Sequence, residues 1–181
     1  GQVAAVTGAS SGNGRAIAVA LAAEGARVMC SDLREAALEG GYEEDIGITT
    51  HEVIEKAGGE AAFHRADASK AGDLEALVAA TVSKFGRLDL MVNNAGVFTG
   101  VHNILEETEA QYDFTMAVNA KGVWLGCKYA IKQMMAQKPR PNGTRGRVVN
   151  IASIGGLVGL ALAPAYCTSK GAVVNLTRQL A

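Results

Sequence analysis

The sequence predicts an α/β protein: a doubly wound parallel sheet with helices on both faces. Three observations carry that expectation. Short apolar runs of strand length alternate with longer stretches of helical period along the chain. Strand, crossover helix and strand, repeated, give a largely parallel sheet, and right-handed crossovers restrict its order to the doubly wound type. With 181 residues and 49% hydrophobic content, the chain can bury one sizeable core without metals or disulfides.

The elements follow in order. QVAAVT (2–7) is a strand, NGRAIAVALAAEG (13–25) a helix and ARVMCSD (26–32) a second strand. EAAFHRAD (60–67) is the third strand. KAGDLEALVAATVSKFG (70–86) is helical, with Leu74, Leu77, Val78 and Val82 on one face. LDLMVNN (88–94) and RGRVVNIAS (145–153) are the fourth and fifth strands, with helical patterns over 106–116 and 118–136 between them. A last helix starts at Ala163 or Pro164 and runs to the end. GGYEEDIGITT (40–50) reads as an inserted loop or lid, and KPRPNGTR (138–145), with two prolines, as a solvated connection. No repeat, linker or second domain is visible, so residues 1–181 are read as one domain.

Composition excludes several classes. A net charge of -1 leaves no electrostatic footprint for nucleic acid or an anionic membrane. Cys30, Cys127 and Cys167 are odd in number and widely spaced, which suits a reducing, cytoplasmic setting better than a disulfide scaffold. His51, His64 and His102 share no ligand-like spacing, so no metal site is expected. No stretch reaches the roughly 20 apolar residues of a membrane span. No signal peptide is visible, although the chain opens on Gly1 without an initiator methionine, which leaves a short leader open.

VTGASSGNGRAIA is the first motif with chemistry in it. Gly8, Gly12 and Gly14 follow a strand and lead into a helix. Glycine there permits a tight turn and close approach of backbone to a pyrophosphate, and the helix N-terminus meets the phosphate charge. Ser11, Gly12 and Asn13 are the helix-entry residues. The alternative is a plain turn before a packed helix, and the G-x-x-x-G-x-G spacing is a variant of the usual dinucleotide fingerprint. Asp32 ends the second strand, 18 residues after Gly14, where an acid binds ribose hydroxyls and repels a 2′-phosphate. That favours NAD over NADP, with Leu33 beside it. Helix N-capping is the alternative duty for Asp32, and Arg34 is close enough in sequence to meet a phosphate. Asp67, followed by Ala68, ends the third strand and either contacts adenine or serves a turn. NNAG, with Asn94, Ala95 and Gly96, ends the fourth strand. Its small residues would let a cofactor cross the sheet edge, though by itself it is only a turn.

Ser153 follows the fifth strand. Tyr166 and Lys170 are four apart on one helical face. Tyrosine has a reference pKa of about 10, and a neighbouring ammonium lowers it by stabilising the phenolate. Such a tyrosine exchanges a proton with an alcohol or carbonyl oxygen that a serine hydroxyl holds in place. Alone, Tyr-x-x-x-Lys is an ordinary surface pair. A nucleophilic Ser153 is disfavoured, since no G-x-S-x-G turn surrounds it.

In combination these motifs resemble the short-chain dehydrogenase/reductase family over essentially the whole chain. T-G-x-x-x-G-x-G falls on Thr7, Gly8, Gly12 and Gly14, N-N-A-G on Asn93 to Gly96, and the family's helical asparagine on Asn119 in AVNAKG. Its serine and Y-x-x-x-K pair fall on Ser153, Tyr166 and Lys170. The resemblance implies a Rossmann-like fold and reversible hydride transfer between NAD(H) and a secondary alcohol or ketone. Ser153 would position the reacting oxygen, and Tyr166 would move its proton. Lys170 would hold the nicotinamide ribose and depress the tyrosine pKa. Asn119 would distort its helix and hold a water. It further implies a homodimer or homotetramer through helices 118–136 and 164–181. Trp124, Leu125 and Tyr129 spread over more than one face of the first of these, the alternative being that Trp124 packs inward.

The sequence departs from the family in three ways. Asn13 stands where an apolar residue is common. The Asp32–Asp67 interval is long, which marks 40–50 as an insertion, either lid or decoration. The family's sixth strand, substrate-covering helical region and seventh strand are absent, so the chain reads as C-terminally incomplete, with Val148, Val149 and Ile151 lining an uncovered sheet edge. Two rival readings are an NADP-dependent ketoacyl or sugar-type reductase and a non-catalytic dinucleotide-binding or assembly protein.

Overall fold

The computed structural model describes every residue except 40, 42 and 44. Its elements are β1 (Val3–Thr7), α1 (Gly12–Ala23), β2 (Arg27–Asp32), α2 (Thr50–Lys56), β3 (Ala61–Arg65), α3 (Ala71–Phe85), β4 (Leu90–Asn93), α4 (Glu109–Met116), a π turn (Ala117–Gly122), α5 (Val123–Ala136), β5 (Arg147–Asn150), a 3-10 turn (Ile154–Gly156) and α6 (Pro164–Leu180). The five strands lie in the order β3-β2-β1-β4-β5, and every pairing is parallel. The order reverses between β1 and β4, and open sheets of this kind place ligands at the carboxyl ends of the strands flanking that reversal.

β1 is the central strand, and all five of its residues are buried, as a strand covered on both faces requires. Val3 and Ala5 join Met29 and Met91 under Leu74, Leu77 and Phe85 of α3 and Leu125 and Met134 of α5. Val6, Val28, Cys30 and Val92 face the other way, against Ala18 of α1 and Ile54 of α2. Leu74 and Leu77 are fully buried, each contributing on the order of 2 kcal/mol by transfer from water. Val123, Cys127 and Val173 bind α5 to α6, with Val148 packed beside them.

At the amino end of the sheet, the buried Asp89 carboxylate gathers three partners. It accepts from the Val3 N–H at 2.9 Å and from Arg87 Nε at 2.7 Å, and it is paired with Arg140. Burial pushes this carboxyl up, but the hydrogen bonds from Arg140, the Val3 N–H and Arg87 outweigh it and hold the pKa at about 2.

The structure sharpens or corrects the expected layout in four places. α2 begins at the last residue of the segment read as a loop and runs through residues to which no element was assigned; it opens on a capping box in which Thr49 and Glu52 satisfy each other's backbone groups. The helical pattern of 106–116 begins only at Glu109, after the N-cap Thr108. The 118–136 helix starts with a π turn around Asn119, in which the backbone widens by one residue, giving form to the distortion expected there. Of the three residues expected on an uncovered edge, Val149 is 43% exposed, whereas Val148 and Ile151 pack against core clusters.

Candidate active site

At the end of β1 the chain turns through Gly8 (φ +66°) and Gly12 (φ +55°), backbone that residues with a Cβ seldom adopt. Gly14 lies against the Gly8 carbonyl so closely that a Cβ would overlap it. Asn94 ties the same turn to β4: its Nδ2 donates to the Thr7 and Gly8 carbonyls at 3.0 and 3.2 Å. Thr7 Oγ1 in turn accepts from the Asn94 and Ala95 N–H groups, each at 3.1 Å. α1 therefore begins close against the sheet edge, and its first N–H, that of Gly12, meets a carboxylate, as the positive end of a helix favours.

Asp32 stands at the far side of this turn. Its Oδ2 accepts from the Ser10 N–H at 3.1 Å and its Oδ1 from the Leu33 N–H at 2.7 Å. No helix starts there, so helix capping is not its duty; the next N-cap is Thr49. Asp67 folds back on its own loop, accepting from the Ser69 N–H at 2.9 Å and the Ser69 hydroxyl at 2.7 Å. Burial raises its pKa, but the bonds from Ser69 prevail and leave it lowered. Asp67 thus performs the turn duty that the sequence left open, while also facing the cavity.

A cavity of about 730 Å³ runs along this edge. It is lined by Gly8, Ser11, Asn13 and Gly14 of the turn, Asp32 and Leu33, Asp67 and Ala68, and Asn94, Ala95 and Gly96. Of the expected cofactor residues, Gly12, Tyr166 and Lys170 do not line it. Thr7, Arg34, Leu38, Ala66, Leu74, Val97, Phe114 and Val118 line it as well. Val97 and Val118 directly adjoin NNAG and Asn119, a proximity that could have found them; Leu38 and Phe114 carry no motif signal.

The segment from Gly41 to Ile48 reaches the first turn of α1. The Gly12 N–H donates to the Glu43 carboxylate. Arg15, buried in that turn, pairs with Asp45 at 2.6 Å and donates to the Ile48 carbonyl at 2.8 Å. Leu38 N–H donates to Ser11 Oγ at 2.6 Å. Residues 40, 42 and 44 of the 40–50 segment lie outside the described residues.

The second half of the site rests on α6. Ser153 caps the 3-10 turn after β5, its Oγ accepting from the Gly155 N–H at 3.1 Å. That turn lies directly on α6, since a Cβ on Gly156 would stand 2.5 Å from the Lys170 carbonyl oxygen. Lys170 is buried, and its Nζ donates to the Ile151 carbonyl at 2.8 Å and lies 5.8 Å from the centre of the Tyr166 ring. Burial lowers the Lys170 pKa. The Phe98 ring meets Tyr166 edge to face, 5.3 Å between centres.

Asn119 sits fully buried within the π turn. Its Oδ1 accepts from the Val97 N–H at 2.7 Å, and its Nδ2 donates to the Val97 carbonyl at 2.9 Å and to Ser169 Oγ at 3.2 Å. Ser169 Oγ donates onward to the Tyr166 carbonyl at 2.7 Å. Gly96 closes the gap between the halves: a Cβ there would lie 3.4 Å from Asn119 Oδ1 and 3.6 Å from Lys170 Nζ. The structure thus brings Asn119 and Lys170 to the end of NNAG, with Tyr166 beside Lys170 and the turn that Ser153 opens resting on α6.

A parallel sheet with a glycine turn at its order reversal, an acid ending the second strand and a half-buried tyrosine beside a buried lysine define a nucleotide-binding class. A family model described as short chain dehydrogenase matches residues 2–181, and the chain belongs to that family. An uncharacterized oxidoreductase of Thermotoga maritima is 43% identical over 181 residues, covering 100% of this chain and 65% of that protein. The 2-(R)-hydroxypropyl-CoM dehydrogenase of Xanthobacter autotrophicus is 42% identical, covering 99% of this chain and 67% of that protein. The chain therefore spans about two thirds of the length of these curated relatives. Among solved structures, a short chain dehydrogenase/reductase from Burkholderia phymatum in complex with NAD is 32% identical with a TM-score of 0.85, covering 99% of this chain and 59% of that one. Levodione reductase is 37% identical with a TM-score of 0.83, covering 99% and 64%.

Proposed function

We propose that the full-length protein transfers hydride between NAD(H) and a secondary alcohol or ketone. The observation that carries this reading is one sheet edge with two parts: a glycine turn with an acid beside it, and Asn119 linked through Ser169 to the helix of Tyr166 and Lys170, with Gly96 between them. The residues present fit a dinucleotide. The turn admits no side chain at Gly8 or Gly14, so a pyrophosphate can approach its backbone, and Asp32 stands where ribose hydroxyls would bind. When bound, the nicotinamide ring supplies or receives the hydride.

The chain's own residues do the rest. Ser153 Oγ holds the reacting oxygen, and the Tyr166 hydroxyl gives or takes its proton. Lys170 places a buried positive charge under the Tyr166 ring and supplies donors for a ribose. Asn119 fixes the loop after NNAG against α6. The relatives named above support the class of reaction.

Assembly and setting belong to the same proposal. Trp124 is 48% exposed on α5, with Lys128 Nζ 5.2 Å from its ring centre, and Leu180 of α6 is also exposed. Leu125 is buried and Tyr129 packs against the core. The remaining apolar surface of these two helices suits a two-fold contact between copies, giving a homodimer or homotetramer. No helix among the described residues is long and apolar enough to cross a membrane. Free Cys30, Cys127 and Cys167 suit a cytoplasmic setting.

The test is turnover by the full-length protein over a panel of secondary alcohols and ketones, with NAD(H) and NADP(H) in parallel, read by absorbance of the reduced nicotinamide. Cofactor binding without turnover on any member of the panel would favour a non-catalytic dinucleotide-binding protein.

A further inference from the structure

α6 carries Tyr166 and Lys170 yet lacks a cap of its own. Its N-cap is Ala163, a residue with no side-chain acceptor, and the helix receives no side-chain cap there. Pro164 at the first helical position has no N–H to satisfy, so the first open donor is the Ala165 N–H, one residue before Tyr166. That donor is met from outside the helix: it gives its hydrogen bond to Glu107 Oε2 at 2.9 Å, from a residue 58 positions earlier in the chain.

Glu107 is itself held on both sides. Its N–H donates to the Asn103 carbonyl at 3.0 Å, and Thr108, next in the chain, opens α4 with a capping box to Gln111. The same segment grips the entrance to α6 twice more. The His102 N–H donates to the Leu162 carbonyl at 2.9 Å, where Leu162 takes a left-handed φ of +59° that a branched side chain tolerates poorly. Phe98 lies edge-on to the Tyr166 ring. The helix end bearing the proton-transferring phenol therefore has its geometry set by residues 98–107.

We propose that Glu107 is a positioning residue for Tyr166: its carboxylate supplies the cap that α6 lacks, and thereby fixes the first helical turn against the Ser153 turn and Asn119. A carboxylate suits this place because the helix N-terminus carries partial positive charge. This inference rests on the hydride-transfer reading above. The Glu107 side chain is not among the groups lining the cofactor cavity, so its loss acts on the chemical step and spares dinucleotide binding.

The experiment compares the full-length wild type with Glu107→Ala and Glu107→Gln. In Glu107→Ala, kcat falls about tenfold or more, as expected for a displaced acid–base group, while the Kd for NAD stays at the wild-type value. Glu107→Gln, whose amide oxygen accepts the same bond, recovers most of kcat. Hydrogen–deuterium exchange in Glu107→Ala rises over residues 162–170 and not over 8–20. Wild-type kcat in Glu107→Ala overturns the proposal, as does a glutamine variant as slow as the alanine one or a parallel loss of NAD affinity. If Glu107→Ala does not fold, Glu107→Asp replaces it: its carboxylate is one methylene short, so aspartate slow with glutamine fast supports the assignment, and the reverse overturns it. A wild type that binds NAD but turns over nothing defeats the functional reading instead. The exchange measurement then decides the cap alone: faster exchange at 162–170 sustains it, and unchanged exchange defeats it.

Discussion

Asn119 and Val97 hold each other by two hydrogen bonds, one donated in each direction between the asparagine amide and the valine backbone. The side chain thus acts as a short piece of strand for the loop after NNAG, which has left the sheet. Replacing Asn119 with Leu leaves the Val97 N–H and carbonyl without their partner and severs the link to Ser169. Val97 is only half-buried, so each stranded group costs about 1 kcal/mol, the low end of the range for a lost partner. Calorimetry should show a clearly lower melting temperature, and turnover should fall as the loop loosens. An unchanged melting temperature would show that the loop holds itself.

Asp32→Ala tests cofactor choice. Wild type is expected to bind NAD better than NADP, because the carboxylate favours ribose hydroxyls and repels a 2′-phosphate. The substitution narrows that gap and also strands the Ser10 and Leu33 N–H groups, so the variant is less stable by about 1 kcal/mol. Fluorescence titration with both cofactors measures the first effect and urea unfolding the second. Equal wild-type affinities would defeat the assignment of Asp32.

Tyr166→Phe keeps the ring and its contact with Phe98 while deleting the hydroxyl. Turnover by the full-length protein should drop by about 100-fold or more. NAD affinity should persist, since Tyr166 lies outside the cavity lining. Steady-state kinetics beside a binding isotherm separates the two, and near-normal turnover would remove Tyr166 from the mechanism.

Asp89 gives a stability test remote from the chemistry. Its pKa is depressed from 3.8 to about 2 in the folded chain. A depressed carboxyl stabilises the fold above its unfolded pKa, and that stabilisation fades as pH falls from about 4 toward 2. The shift corresponds to on the order of 2 kcal/mol. Asp89→Asn should therefore be less stable than wild type at pH 7 in urea unfolding, with the difference closing below pH 3. A gap that stays constant with pH would mean that packing around residue 89, rather than its charge, is responsible.

The strand–helix alternation was legible because parallel strands buried on both faces read as short apolar runs, as VAAVT does in β1. α2 was not, although Thr49 and Glu52 spell its capping box: seven residues beside a glycine-rich acidic loop give too little periodicity to read. The π turn at Asn119 has no spacing signature, since a one-residue widening leaves the apolar pattern on either side intact; only the family resemblance pointed to a distortion there. In the cavity, residues whose type is dictated by backbone approach or charge could be picked out, among them Gly14 and Asp32. Leu38 and Phe114 reach the cavity only through how their segments pack, and Glu107 acts through a bond spanning 58 positions that no local pattern records.

The central place of β1 has a consequence for how the protein is made. This strand's neighbour β4 lies 86 residues later in the chain, the distance that also separates Val3 from its Asp89 partner. At cellular synthesis rates of roughly 5–20 residues per second, β1 waits about 4 to 17 s with one flank unpaired. During that interval the nascent chain holds its most apolar strand with β2 as its nearest available partner, and the glycine turn has no Asn94 to brace it. Slower translation between codons 33 and 89 should lengthen this exposed period and raise the chain's demand for chaperones.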